Sequence, residues 1–281
     1  MPSTSARLRP ALGTCVQISL SEAGLGLSTE ESYAQAFSVF QTVDQLMSAH
    51  RKNSELGRLN RLGPGSWMDL HPWTRTVLEQ AQELWSESRG CFDIRCGAIL
   101  SQWKVLGASP SAGEQGSWAG TPALEFRGRR ARKTGPWMMD LGGIAKGFAV
   151  DQARRVLKRR HSYGCVNAGG DLSTWGHAQT VQLRGPSWTR ILPPLTGAVA
   201  TSTVRRFPGR RRRSWHLRPS TRRPLIGARS ATVLAPNCAL ADALTKVVLA
   251  APPEVADRCL RRRGAKALLF SPDGRLLRAL G

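Results

Sequence analysis

The octet Asp140-Leu141-Gly142-Gly143-Ile144-Ala145-Lys146-Gly147 constrains this chain more than any other stretch, because a carboxylate, paired glycines and a lysine meet where a strand is expected to become a helix. Trp137 to Leu141 predicts a buried strand, and Phe148, Ala149, Ala153, Val156 and Leu157 follow at helical spacing. Gly142 and Gly143 let backbone N–H groups approach an anion closely, while the helix N-terminus adds partial positive charge and Lys146 a full one. The same residues also suit a plain Gly-rich turn whose lysine is merely solvated. The spacing matches neither the P-loop pattern nor GxGxxG, so the residues alone leave both readings open.

Around this octet, helical and strand patterns are mixed in order, without repeats or a long linker. A strand from Cys15 to Leu20 precedes a helix from about Glu30 to His50, whose apolar stripe is Phe37, Phe40, Val43 and Met47 and whose start carries a capping box of Ser28 and Glu31. Pro72 opens a second helix reaching about Arg89. Later strands are expected at Tyr163 to Asn167, Thr180 to Arg184, Gly197 to Thr203 and Ala231 to Ala235. Helices follow at Cys238 to Leu249 and Glu254 to Arg263, and Asp273-Gly274 turns a closing hairpin. This order argues against a doubly wound sheet and for an α+β fold of mixed sheets flanked by helices. One domain is expected over residues 13–281, with residues 1–12 as an extension.

At 281 residues and 41% hydrophobic content, the chain can bury a substantial core. Its apolar runs are too short for a transmembrane segment, and Met1 to Leu12 lacks the apolar stretch of a signal peptide. As written the chain is expected in the cytoplasm; a truncated start would instead allow an exported or membrane-anchored form. The six cysteines lie scattered, without metal-ligand spacing, and are expected as small buried hydrophobes. The net charge of +22 raises the question of nucleic acid. The arginine runs, however, lie in separate segments without a recognition motif, including Arg154 to Arg160, Arg205 to Arg213 and Arg261 to Arg263. Solvated faces and an anionic cofactor or acidic partner explain them better than specific nucleic-acid binding.

The octet, continued by Phe148-Ala149-Val150-Asp151 and by Asn167-Ala168-Gly169-Gly170-Asp171, resembles the core of the FAD:protein FMN transferases, the ApbE family. Further blocks occur in that family's order: Val43 to Ser48, Ser54-Glu55-Leu56 with Asn60, Gly90 to Asp93, Ala200-Thr201-Ser202, and Leu240 to Thr245. The resemblance implies Mg²⁺-dependent transfer of FMN from FAD to a Thr or Ser hydroxyl of an acceptor flavoprotein, a subunit of a redox complex, with release of AMP. It implies FAD contacts at Met47, Phe92, Asp93, Asp140, Lys146 and Leu217, and a metal held by Asp242, Thr245 and the Gly143 carbonyl. It makes His216 the general base that takes the proton of the attacking hydroxyl.

Two departures accompany the resemblance. Family members often carry the threonine four residues after the aspartate, whereas Thr245 follows Asp242 by three and Lys246 holds the fourth position. An inward Lys246 would partly replace the metal in neutralising the diphosphate; an outward one would form an ordinary surface ion pair with Asp242. In addition, the segment Trp215 to Pro224 lacks the aspartate expected near His216. Two other functions stay open on sequence: an FAD-binding protein or FAD pyrophosphatase without transfer, and, more distantly, a basic nucleic-acid-binding module.

Overall fold

The structure is a computed structural model that describes residues 4–21, 28–102, 120–185, 187–204, 216–227 and 229–281. The arginine run at 205–213 lies outside the described residues. The first half contains β1 (Thr4–Ala11), β2 (Thr14–Ser21), α1 (Thr29–Met47), α2 (Glu55–Arg61), β3 (Met68–Asp69), α3 (Pro72–Glu87), α4 (Gly97–Gln102), β4 (Leu124–Arg127) and β5 (Arg130–Lys133). The second half contains α5 (Ala145–Leu157), β6 (Gly164–Ala168), β7 (Asp171–Arg184), β8 (Thr189–Val204), β9 (Leu217–Arg218), β10 (Arg223–Pro224), β11 (Arg229–Ala235), α6 (Cys238–Ala250), α7 (Pro253–Arg262), β12 (Lys266–Phe270) and β13 (Leu276–Leu280).

Eight strands form one sheet in the order β1-β2-β6-β7-β8-β11-β12-β13, with every neighbouring pair antiparallel. That topology is the α+β arrangement expected from the order of elements. Alternation along β2 sends Val16, Ile18 and Leu20 inward, and helices α1, α5 and α6 cover that face with Phe37, Phe40, Val43, Ala149, Val150, Leu244 and Val247. The capping box forms: Ser28 accepts from the Glu31 N–H at 3.2 Å, and Glu31 accepts from the Ser28 N–H at 2.7 Å. A smaller core, with Leu172, Val181, Leu183, Leu192, Val199 and Phe270, fills the space between the long β7–β8 hairpin and β12.

Three expectations are corrected. Residues 4–11 are not an appendage; they form β1 and pair with β2 along its whole length. Arg7, Leu8 and Arg9 are all exposed, so this edge strand lacks the apolar alternation that marks a strand in sequence. The cysteines are not uniformly buried: Cys238 and Cys259 are, but Cys15 is exposed because the β2 alternation turns it outward.

The third correction concerns Trp137 to Leu141, which has no regular secondary structure and belongs to no sheet. Its polar backbone is satisfied from elsewhere. The Asn60 carboxamide donates to the Met139 carbonyl and accepts from the Met139 N–H, both at 2.8 Å, as a neighbouring strand would. The Asp140 N–H donates to the Ile94 carbonyl at 2.8 Å, and the Gly97 N–H donates to the Met138 carbonyl at 2.9 Å. Buried Lys133 donates to the Asn60 carbonyl at 2.7 Å and the Trp137 carbonyl at 3.2 Å, which locks the clamp from behind. Asn60→Ala leaves the Met139 N–H and carbonyl unpaired, and is expected to lower stability by about 1–3 kcal/mol, measured by urea unfolding.

Candidate active site

The clamped segment delivers the chain to the Gly142-Gly143 turn and the first turn of α5. Asp140 holds that turn by accepting from the Gly142 N–H at 3.1 Å. Burial pushes the Asp140 carboxyl up, against the opposing pull of that N–H and of His50, Lys146 and Lys246. Five residues after Lys146, Asp151 accepts from the N–H groups of Cys238 and Ala239, both at 2.8 Å. A residue of α5 thereby caps the start of α6 and fixes the two helices together. Gly147 permits their close approach, since a Cβ there would lie 2.8 Å from the Ala239 Cα.

This docking closes a buried charge network. Asp242 on α6 is fully buried, and its two carboxylate oxygens face two ammonium groups. Lys246 bonds one oxygen and also the Asp242 carbonyl at 3.0 Å, while Lys146 lies 3.4 Å from the other. Lys146 also bonds Asp171, which follows the two-residue β6–β7 turn. Gly169 and Gly170 in that turn both have positive φ, at 67° and 102°, and Asn167 accepts from the Gly170 N–H at 2.9 Å. Burial disfavours the Lys146 ammonium, but Asp171 and Asp242 outweigh it and hold it charged. Burial likewise opposes the Asp242 charge, yet the two lysines keep its carboxyl below the usual range. Asp171 moves the other way, pushed up by burial and by the neighbouring Asp242 charge.

The two lysines front a cavity of about 430 Å³, within the size range of small-molecule sites. Its lining combines charged and polar residues, Asp140, Lys146, Asp171 and Lys246 with the turns at Gly142-Gly143 and Gly169 and residues Thr201 to Thr203 of β8, with apolar ones, Phe92, Leu100, Leu217, Pro219 and Leu225. Such a pairing accepts a flat apolar ring joined to an anion. His216 stands in the wall just before β9, where its carbonyl accepts from the Leu225 N–H at 2.8 Å. Burial, then the charges of Lys246 and Lys146, depress its pKa to about 4.

Six of the residues expected from sequence therefore meet around one cavity: Phe92, Asp140, Gly143, Lys146, His216 and Leu217. Four lie behind it. Met47 is 3% exposed on the inward stripe of α1. Asp93 receives the buried Arg95 guanidinium on both oxygens, at 2.9 and 2.6 Å. Asp242 sits beneath the lysines. Thr245 donates to the Asp242 carbonyl at 2.7 Å and shares a 2.7 Å hydrogen bond with Ser202, fully buried. His50, expected from sequence at the surface or in the core, lines the cavity from the loop after α1. Its place two residues beyond the Val43 to Ser48 block was the available signal.

The donor set does not fit a resident divalent cation. Both Asp242 oxygens already accept from ammonium groups, which would repel a metal placed beside them. Thr245 is spent on the Asp242 carbonyl and Ser202, and among the described residues no three His, Cys, Asp or Glu side chains converge on a point. No helix among the described residues is long and apolar enough to cross a membrane.

Residues 12–269 match the model of the ApbE family. An FAD:protein FMN transferase of Rhodobacter capsulatus is 29% identical over 242 residues, which cover 78% of this chain and 46% of that protein. Another from Haemophilus influenzae is 24% identical over 211 residues, covering 69% and 60%. This chain thus spans less than two thirds of the length of either relative. A solved structure of the flavin transferase ApbE from Vibrio cholerae shares the fold, with a TM-score of 0.84 at 23% identity over 99% of this chain and 97% of that one.

Asp242→Ala leaves the Lys246 ammonium without a carboxylate partner and Lys146 with Asp171 alone. Breaking a fully buried pair costs about 3–5 kcal/mol, and the partial exposure of both lysine side chains, 27% and 21%, places the expected loss at the lower end in urea unfolding. An NMR titration of the ligand-free protein is expected to show His216 neutral at pH 5.5 and protonating only near pH 4, well below the ordinary histidine value of about 6.5.

Proposed function

Because the chain belongs to the ApbE family, we propose that it is an FAD:protein FMN transferase, moving FMN from FAD to a Thr or Ser hydroxyl of an acceptor flavoprotein and releasing AMP. The observation that carries this reading is the convergence of Lys146, Lys246, the Gly142-Gly143 turn and His216 on one cavity whose lining also includes the apolar Phe92, Leu100, Leu217 and Leu225. The diphosphate of FAD lies against the ammonium groups and the N–H groups of the turn, and ring packs against Phe92 and Leu217.

The acceptor hydroxyl oxygen attacks the phosphorus of the FMN half, the P–O bond to the AMP phosphate breaks, and AMP leaves with the bridging oxygen. His216 takes the hydroxyl proton. At neutral pH the ligand-free imidazole is already in the proton-accepting form, though a pKa of about 4 makes it a weak base. A diphosphate at Lys146 and Lys246 screens two causes of that depression, so substrate binding itself raises the basicity of His216. Catalysis then rests mainly on positioning and charge neutralisation, as in other phosphoryl transfers.

The acceptor is read as a flavin-carrying subunit of a redox complex, in keeping with the chemistry of the product. A second outcome, hydrolysis of FAD to FMN and AMP, follows if water reaches the phosphorus instead; the missing aspartate beside His216 motivates testing for it.

The test is intact-mass analysis of an acceptor domain carrying one target threonine after incubation with the protein and FAD. The expected result is a gain of one FMN phosphoryl unit, slowed about 10²–10⁴-fold in His216→Ala while FAD still binds. Release of free FMN and AMP without any gain would identify a hydrolase, and absence of FAD binding would sink the proposal.

A further inference from the structure

Of the two residues that could accompany Asp242 toward a bound phosphate, the fold turns Thr245 away and Lys246 inward. Thr245 is fully buried, with its hydroxyl committed to Ser202 and the Asp242 carbonyl. The Lys246 side chain keeps 21% exposure and lines the cavity. Its stem runs beneath the Gly142-Gly143 turn: a Cβ added to Gly143 would stand 3.6 Å from the Lys246 Cε. The ammonium therefore sits close to the backbone turn that faces an incoming anion.

The ammonium has three N–H donors, and two are accounted for by the Asp242 carboxylate and the Asp242 carbonyl. Among the described residues no hydrogen bond takes the third, which can bond a ligand oxygen. Lys146 is held in the same way by Asp171 and by Asp242. Asp242 thus serves two fixed ammonium groups, and a divalent ion competing for its oxygens would have to displace at least one of them.

We propose that Lys246 is a built-in counter-ion for the substrate diphosphate, so that this chain binds FAD and transfers FMN without a divalent metal. The inference rests on the transferase reading for its second half and on the geometry around Asp242 for its first. Lys246 supplies one positive charge and one directed donor from a position fixed by Asp242, and Lys146 supplies the second of each. No bond to the lysines forms or breaks during transfer.

The experiment compares FAD binding, by quenching of flavin fluorescence, and FMN transfer, by intact mass of the acceptor domain, in excess EDTA and in excess Mg²⁺. The parent is expected to hold its FAD affinity within about threefold between the two conditions and to transfer in EDTA. Lys246→Thr removes the ammonium and is expected to weaken binding in EDTA by about 10- to 100-fold, the loss of one charged hydrogen bond. Added Mg²⁺ is expected to restore much of it. Parent binding that collapses more than tenfold in EDTA and returns with Mg²⁺ overturns the inference and leaves the transferase reading intact. Unchanged binding in folded Lys246→Thr also overturns it. Metal-independent FAD binding without any transfer keeps the counter-ion role and removes the transferase reading. The parent comparison stands alone if the threonine variant fails to fold.

Discussion

A fully buried carboxylate cannot stay ionised without compensation, and Asp242 is buried completely. Its compensation comes from two lysines, one on its own helix and one 96 residues earlier at the start of α5. The α5–α6 junction, the β6–β7 turn and one wall of the cavity depend on that arrangement being made. Asp151 reinforces it by capping α6 from α5, and Gly147 makes room for it. Charge pairing and close packing here serve one another, because the helices must touch for the lysines to reach the carboxylate.

The same network gives the cavity its chemistry. Ammonium groups held by carboxylates lose little freedom when an anion arrives, so their donors are set in advance. Burial, and after it the charges of Lys246 and Lys146, depress the His216 pKa. A resident metal would have to compete with the lysines for Asp242. In this chain the position beside the aspartate that could have carried a neutral ligand instead carries a charge.

Much of this was legible in the residues. The capping box of α1, the proline opening α3 and the closing Asp273-Gly274 turn are local signals, and each element forms where its signal lies. The Gly142-Gly143 turn and the blocks that resemble the ApbE family brought six cavity residues onto the page. Trp137 to Leu141 misled because a short apolar run reads as a strand whether its partner is another strand or, as here, the side chain of Asn60. β1 was missed for the opposite reason, since an exposed edge strand carries no inward alternation. Met47 lies on the inward stripe of α1, one of the two places its spacing allowed, and the loop beyond the helix brings His50 to the cavity.

By itself the sequence determined the periodic faces, the caps, the tight turns and the supply of charged groups, because each depends on residues within a few positions of one another. The tertiary structure decided which charges meet. The inward turn of Lys246, the retreat of Thr245 and the placing of Asp171 against Lys146 depend on how α5, α6 and the β6–β7 hairpin dock. That docking is a property of packing across a sheet whose strands come from both ends of the chain, and local spacing carries no record of it.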